Sequence, residues 1–234
     1  MTNLRTITLL SLLFVPVAAV VPAYGADDLQ MVLAKLDSAS LKFKSAAADI
    51  TWSNVQTEPI PDKDVQAGTA QFERKNGQLS MAMHLKTDNG KSVPKEMLYA
   101  GGQFKLYEPL LKQETVFQAG PNRAEYDTFL ALGIGGSGKD MQKNWKVNYA
   151  GAEKVDGVST ARLELAPLQD SVKKNFTKAI LWIDLDNGIA VKQQFYDISG
   201  NYREVSYHNL KLNASVSPDA FTIKTPSGTK IINH

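Results

Sequence analysis

Past residue 48 apolar and polar positions alternate. Ile50 and Trp52 are spaced by Thr51, Ala70 and Phe72 by Gln71, and Leu79, Met81, Met83 and Leu85 by smaller or polar residues. A period of two sends successive side chains to opposite faces of a strand, so these runs predict half-buried β-strands. Before them the period is helical. Leu29, Val32, Leu33, Leu36, Ala39 and Phe43 share one stripe behind Asp27 and Asp28, which can cap the helix, while Gln30, Lys35, Asp37 and Lys42 take the other side.

A loop over 59–64 separates the first two strands. Lys75-Asn76-Gly77 predicts a hairpin turn, because Asn-Gly accepts positive φ, and Ala100-Gly101-Gly102 predicts another between strands 96–99 and 103–107. Further strands are expected at 114–117, 145–149, 160–165, 179–185, 189–197, 202–212 and 221–224. Turns fall at Asp186-Asn187-Gly188 and Ser199-Gly200-Asn201. Helical spacing recurs at 122–132 and 168–176, and the glycine-rich loop 133–138 has the composition of a movable flap. About ten or eleven strands without helical crossovers argue an antiparallel meander, mainly β within an α+β class.

The first residues follow another logic. Arg5 supplies a positive start, residues 7–21 an apolar run interrupted by Pro16, and Ala23-Tyr24-Gly25 small residues at the positions a signal peptidase reads. The run is shorter than the roughly 20 residues needed to span a bilayer. The expected organisation is a cleaved export signal over 1–25 and one domain over 26–234, located outside the cytoplasm.

Composition narrows the function. The chain has 234 residues, 43% hydrophobic and 21% charged, in the ordinary globular range. Lys+Arg 26 against Asp+Glu 24 leaves a net charge of +2 with no basic block, so nucleic acid is not an expected partner. With no cysteine, disulfides, thiolate chemistry and a lipidated cysteine anchor are excluded.

The motifs that invite an enzyme are weak. Residues 133–139 satisfy the glycine and lysine spacing of a phosphate loop, but Asp140 stands where a magnesium-binding hydroxyl belongs, and no strand leads into it. Asp184, Asp186 and Gly188 suggest a calcium loop whose required Glu would fall on Phe195. His84, His208 and His234 lack metal-site spacing. Ser206 and His208 share a strand face without a nucleophile elbow, and no acid pair is singled out for glycoside hydrolysis. The expectation is no enzyme, no cofactor and no metal.

Several strands instead send large residues to one kind of face: Ile50, Trp52, Phe72, Met81, Met83, Leu98, Phe104, Leu106, Ile180 and Trp182. An ordinary core accounts for such a face. Yet one helix and two short ones are little cover for so much sheet, so part of the face can line an apolar cavity, which methionines suit.

The order of elements carries a family resemblance. Val65-Gln66-Ala67-Gly68 leads into Phe72 and Arg74-Lys75; Gly102-Gln103-Phe104-Lys105-Leu106-Tyr107-Glu108-Pro109 is followed by Gln113; and Tyr207-His208-Asn209-Leu210-Lys211-Leu212-Asn213 precedes Phe221 and Thr225-Pro226-Ser227-Gly228. In these stretches the chain resembles the LolA family of periplasmic outer-membrane lipoprotein carriers. The resemblance implies an open, curved antiparallel β half-barrel with a helical lid over an apolar cavity. It also implies a monomer that carries lipoproteins or other acylated lipid cargo, loaded by an inner-membrane ATP-driven releasing complex and unloaded to an outer-membrane acceptor lipoprotein. Carriers of this type place an arginine just after the second strand, bonded to the lid. Alignment puts Asn76 there, with Arg74 and Lys75 just before it as the candidates for lid control. A lipid-sensing or envelope-regulating module on the same fold is the competing reading, and a carrier of another lipid a variant of the first.

Overall fold

The computed structural model describes residues 26–234; the expected export signal, residues 1–25, lies outside them. The chain opens with helix α1 (Ala26–Lys42) and continues into strands β1 (Ser45–Gln56), β2 (Asp62–Lys75), β3 (Gln78–Asp88), β4 (Lys91–Ala100), β5 (Gln103–Glu108) and β6 (Gln113–Gln118). Helices α2 (Arg123–Leu130) and α3 (Gly138–Asn144) follow. Then come β7 (Trp145–Val155), β8 (Val158–Pro167), α4 (Asp170–Lys173), β9 (Lys178–Asp184), β10 (Ile189–Tyr196), β11 (Tyr202–Leu212) and β12 (Lys230–Asn233).

All the strands form one sheet of twelve, in the order β12-β6-β5-β4-β3-β2-β1-β11-β10-β9-β8-β7. Every pairing is antiparallel except that of β12 with β6, which is parallel. The terminal strands β12 and β7 do not pair with each other, so the sheet is open. Most strands neighbour their successors, as hairpin signals predict, and Asn76 and Gly77 at φ 54° and 76° make the two-residue turn that Asn-Gly specifies.

Three local expectations are corrected. Residues 221–224 are not a strand: a 3-10 turn (Pro218–Phe221) packs there against β3 and β4, and the last strand is β12. The helix expected over 168–176 shrinks to α4, one turn long. Asp27 and Asp28 lie inside the first turn of α1, where their charge opposes the positive end of the helix.

Alternating strand direction gives the sheet two unlike ends. The turns at 76–77, 101–102, 156–157 and 185–188 lie at one, and all are short and glycine-bearing. The loops 57–61, 89–90, 109–112, 168–177 and 197–201 lie at the other, and most are longer.

The core lies on one face. Val32, Leu33 and Leu36 of α1 are buried with Ile134, Met141, Leu163, Leu165, Leu181 and Ile183. A second, smaller cluster of Ile180, Trp182 and Val191 lies on the opposite face of β9 and β10. Helices α1 and α3 come close enough that a Cβ on Gly138 would sit 2.6 Å from the Leu33 carbonyl oxygen and 2.9 Å from its Cα. Ser137 caps α3 by accepting from the Asp140 amide, and Lys139 N donates to Asp37 of α1 at 3.1 Å. Gly138→Val should therefore lower stability by about 1–3 kcal/mol through overpacking. Thermal denaturation followed by circular dichroism should read that as a fall of a few degrees in Tm, with the folded spectrum retained.

Candidate functional site

The concave face of the sheet surrounds an apolar cavity of about 590 Å³. Its wall includes Phe72 of β2, Met81 and Met83 of β3, Met97 and Tyr99 of β4, Phe104 of β5, Phe117 of β6, Trp52 of β1, Val205 and Tyr207 of β11 and Phe195 of β10. Register explains this assembly. Phe72, Met81, Tyr99, Phe104 and Phe117 are successive cross-strand partners and form one row across five strands. The cavity also measures the sheet's curvature. Strands β6 and β10 are seven spacings apart in strand order, roughly 34 Å in a flat sheet, yet both touch this one space.

Helical segments close the other side. Tyr126, Phe129 and Leu130 of α2, with Val172 of α4 and the following Phe176, reach the cavity. Phe129 stacks on Phe176 at 5.2 Å and meets Phe195 at 4.9 Å, so α2, the α4 segment and β10 join through three aromatic rings. Phe117 and Tyr126 make a second edge contact at 5.6 Å. Together these contacts form a lid of side chains with little backbone pairing to the sheet.

The buried polar side chains of the wall find hydrogen-bond partners, which lowers the cost of placing them beside an apolar space. Tyr207 Oη donates to Gln193 Oε1 at 2.9 Å, and Gln193 Nε2 donates to the Leu132 carbonyl at 2.5 Å. Tyr99 Oη donates to Asp127 at 2.6 Å. Burial pushes both tyrosine hydroxyls well above their ordinary pKa, and for Tyr99 the bond to Asp127 adds to it. Both therefore stay neutral donors at neutral pH.

The loop at 133–138 is not an open flap. Leu132, Gly133, Ile134 and Gly135 are buried, and Arg74 holds the loop down. Arg74 Nη2 donates to the Gly135 carbonyl at 2.6 Å, and Nη1 donates to the Ser40 carbonyl near the end of α1 at 2.9 Å. Its guanidinium also lies 5.3 Å from the ring of Phe43. Gly135 faces that ring so closely, at φ 74°, that a Cβ there would meet it at 2.6 Å. Burial lowers the Arg74 pKa and Asp140 opposes the shift; a guanidinium remains charged through it. Lys75 is exposed on the other strand face, and Asn76 is spent on the hairpin turn.

The residues singled out from the sequence divide. Trp52, Phe72, Met81, Met83 and Phe104 line the cavity. Ile50 belongs to the core cluster and is not in the cavity wall, and Leu106 shares the concave face, opposite Met97, without reaching the cavity. Leu98, Ile180 and Trp182 do not belong to this group: they point to the convex face. Leu98 is flanked by the inward Met97 and Tyr99, and Ile180 and Trp182 by the core residues Leu181 and Ile183. Trp182 instead packs between Lys192 at 4.9 Å and Arg162 at 5.9 Å and donates to Glu153. Sequence reasoning missed Met97, Tyr99, Phe117, Phe129, Phe176, Phe195, Val205 and Tyr207. Cross-strand pairing with Met83 and Phe104 is the signal that would have found Met97 and Tyr99.

The Ser206 and His208 pair is drawn into a different set. His208 Nε2 lies 3.2 Å from Thr51 Oγ1, and Nδ1 lies 3.3 Å from Asp156 Oδ2. Hydroxyl, imidazole and carboxylate stand in the order of a nucleophilic relay, but on the convex face, with Asp156 exposed. Thr51 sits mid-strand between β2 and β11, so its neighbouring amides serve the sheet and offer no free pair for an oxyanion. Among the described residues no group of three or more histidines and carboxylates is placed to hold a metal ion. Among the same residues no helix is long and apolar enough to cross a membrane.

No protein-family model matches the sequence, and a search of the curated proteins finds no match. Solved structures are similar. A conserved protein from Thermus thermophilus superposes with TM-score 0.54 at 8% identity, covering 88% of this chain and 98% of its own. MucB superposes with TM-score 0.51 at 13% identity, covering 89% of this chain and 66% of MucB, so the chain spans just under two thirds of that relative. A lipoprotein-sorting protein domain from Vibrio parahaemolyticus gives TM-score 0.44 at 13% identity over 82% of this chain and 97% of its own. At these identities the likeness is one of fold: an open sheet with helical cover.

Arg74→Leu should leave the Ser40 and Gly135 carbonyls without their donor, a cost of about 1–3 kcal/mol. Hydrogen exchange should quicken at amides 133–137 and leave the β1–β3 ladder protected. Arg74→Lys, which can reach only one of the two carbonyls, should fall between.

Proposed function

We propose that the chain is an exported carrier that shields an acyl chain of a lipoprotein or another acylated lipid between membranes. The observation that carries the proposal is the cavity: lined mostly by aromatic and aliphatic side chains, with the buried Tyr207 and Gln193 paired to each other, and roofed by side chains rather than by sheet. A long acyl chain gains about 0.8 kcal/mol per methylene removed from water, so a chain of about sixteen carbons cannot cross water unaided. A site competing with a membrane must offer a dry, apolar wall and then let go. Methionines and a roof of aromatic side chains suit such a site, because they adapt to a guest without fixing its shape.

Size sets the stoichiometry. A methylene occupies about as much space as a water, ~30 Å³, so a cavity of about 590 Å³ takes on the order of one long chain. Cargo with several chains requires the roof of α2 and α4 to lift. In this proposal Arg74 resists that lifting by holding the 133–138 loop to α1, and Lys75 takes no part. An inner-membrane ATP-driven complex would supply the work of loading, and an outer-membrane acceptor would receive the cargo in the periplasm.

A second reading follows from the likeness in fold to MucB, a protein solved in complex with MucA. There the cavity would receive an apolar segment of a partner protein, as an envelope-regulating module.

Displacement of a fluorescent fatty acid separates the readings. The carrier reading expects saturable binding near one chain per protein, weakened at least tenfold by Phe104→Asp, which places a carboxylate in the dry wall. Binding that is absent, or unchanged by Phe104→Asp in a folded variant, would remove the carrier reading and leave the partner-binding one.

A further inference from the structure

The exposed apolar side chains are unevenly placed. Nine large hydrophobic residues are exposed among the described residues, and six of them, Ile60, Leu110, Leu111, Leu168, Ile198 and Ile231, lie at or beside one end of the sheet. They are between 48% and 73% exposed. The other three are on helices: Met31, Tyr126 and, at the end of α1 beside the opposite end of the sheet, a single Leu41; the turns of that end carry none.

The cavity adjoins a second pocket at that same end. A polar vestibule of about 500 Å³ shares Asn175, Phe176, Phe195 and Arg203 with the cavity wall and is otherwise built from strand ends and loops there, including Gln56, Asp62, Asp197 and Asn201. The loops of Ile60 and Ile198 are tied together across it, since Thr57 N donates to Asn201 Oδ1 at 3.0 Å. Gln56 Nε2 fixes the Ile60 carbonyl at 2.9 Å. At the β5–β6 tip, Lys112 N closes on the Pro109 carbonyl at 3.1 Å, which presents Leu110 and Leu111 outward.

We infer that this end of the molecule docks on a lipid bilayer, the tips of Ile60, Leu110, Leu111 and Ile198 entering its apolar boundary. Three observations favour lipid over a shaped protein partner. The apolar groups are aliphatic tips on separate loops rather than one groove, so each enters a fluid phase independently. Both signs of charge occur on these loops and strand ends, Glu58, Glu108, Asp170 and Asp197 with Lys112, Lys173 and Lys174, and the lysine stems can snorkel past the tips. And a guest leaving past the residues the two pockets share stays out of water where that end is pressed against a bilayer. The near balance of charge makes the attraction apolar, so it needs no anionic lipid and withstands salt.

The inference uses the carrier reading only for the direction in which a guest leaves, and its test needs no guest. Because the chain has no cysteine, single substitutions Leu110→Cys, Ile198→Cys and, at the opposite end, Asn187→Cys each accept one environment-sensitive fluorophore in the full chain. Protein-free vesicles of phosphatidylethanolamine and phosphatidylcholine are added, with and without phosphatidylglycerol, in low and high salt. The expected result is a blue-shifted, brighter signal at 110 and 198 and none at 187, insensitive to phosphatidylglycerol and to salt. Ile60→Ser with Leu111→Ser should weaken the vesicle affinity read at 198 at least tenfold, since removing one buried Leu or Ile side chain accounts for about that factor. Silence at 110 and 198, an equal response at 187, or a response only to vesicles that contain envelope proteins would overturn lipid docking, the last in favour of a protein partner. Fatty-acid binding with silent tips would leave the carrier reading standing without this inference.

Discussion

A sheet that bends without closing has a concave face that its own strands cannot cover. Here that face carries Phe72, Met81, Tyr99, Phe104 and Phe117 in one row and Trp52, Val205 and Tyr207 opposite, and leaving so many large apolar side chains in water is unfavourable by several kcal/mol. The rest of the molecule answers this constraint in two ways. Toward β7 to β10, α1 and α3 pack directly on the sheet and make an ordinary core, with Gly138 allowing their close approach. Toward β2 to β6 the cover is α2 and the α4 segment, which reach across through aromatic rings and leave space beneath. Core and cavity are therefore two treatments of one continuous apolar surface.

Arg74 stands at the boundary between the two. It comes from the sheet, bonds α1 through Ser40 and the loop before α3 through Gly135, and lies against Phe43 between them. Breaking the half-buried guanidinium's bond to Gly135 is costly because that residue is itself buried away from water. A single side chain thus couples the rigid half of the cover to the segment that leads out of α2.

The strands and turns were legible in the sequence because their signals are local. Asn76-Gly77 fixed a turn, and alternation through Met81, Met83 and Leu85 fixed a strand. The phase of alternation was less secure. Period two tells which residues share a face, but β9 is buried on both faces and the 3-10 turn near the C-terminus packs against β3 and β4, so Leu98, Ile180 and Trp182 are buried as fully as their inward neighbours. Nothing local distinguishes them. Phe129, Phe176 and Phe195 come from three segments, and their meeting is a matter of curvature, which no short window of sequence contains. Arg74 was distinguishable from Lys75 only once the strand register was known, since one residue's shift turns a side chain to the other face.

In the proposed carrier an acyl chain occupies the space beside Trp52. The chain has three tryptophans, and their places differ: Trp52 lines the cavity, Trp145 lies in the core, and Trp182 is on the convex face. A fatty acid brominated in mid-chain quenches intrinsic fluorescence at contact range and so reports on that space. Saturable quenching that disappears in Trp52→Phe and persists in Trp182→Phe is the expected result. Quenching that survives Trp52→Phe, or no quenching in the parent chain, would rule this placement out.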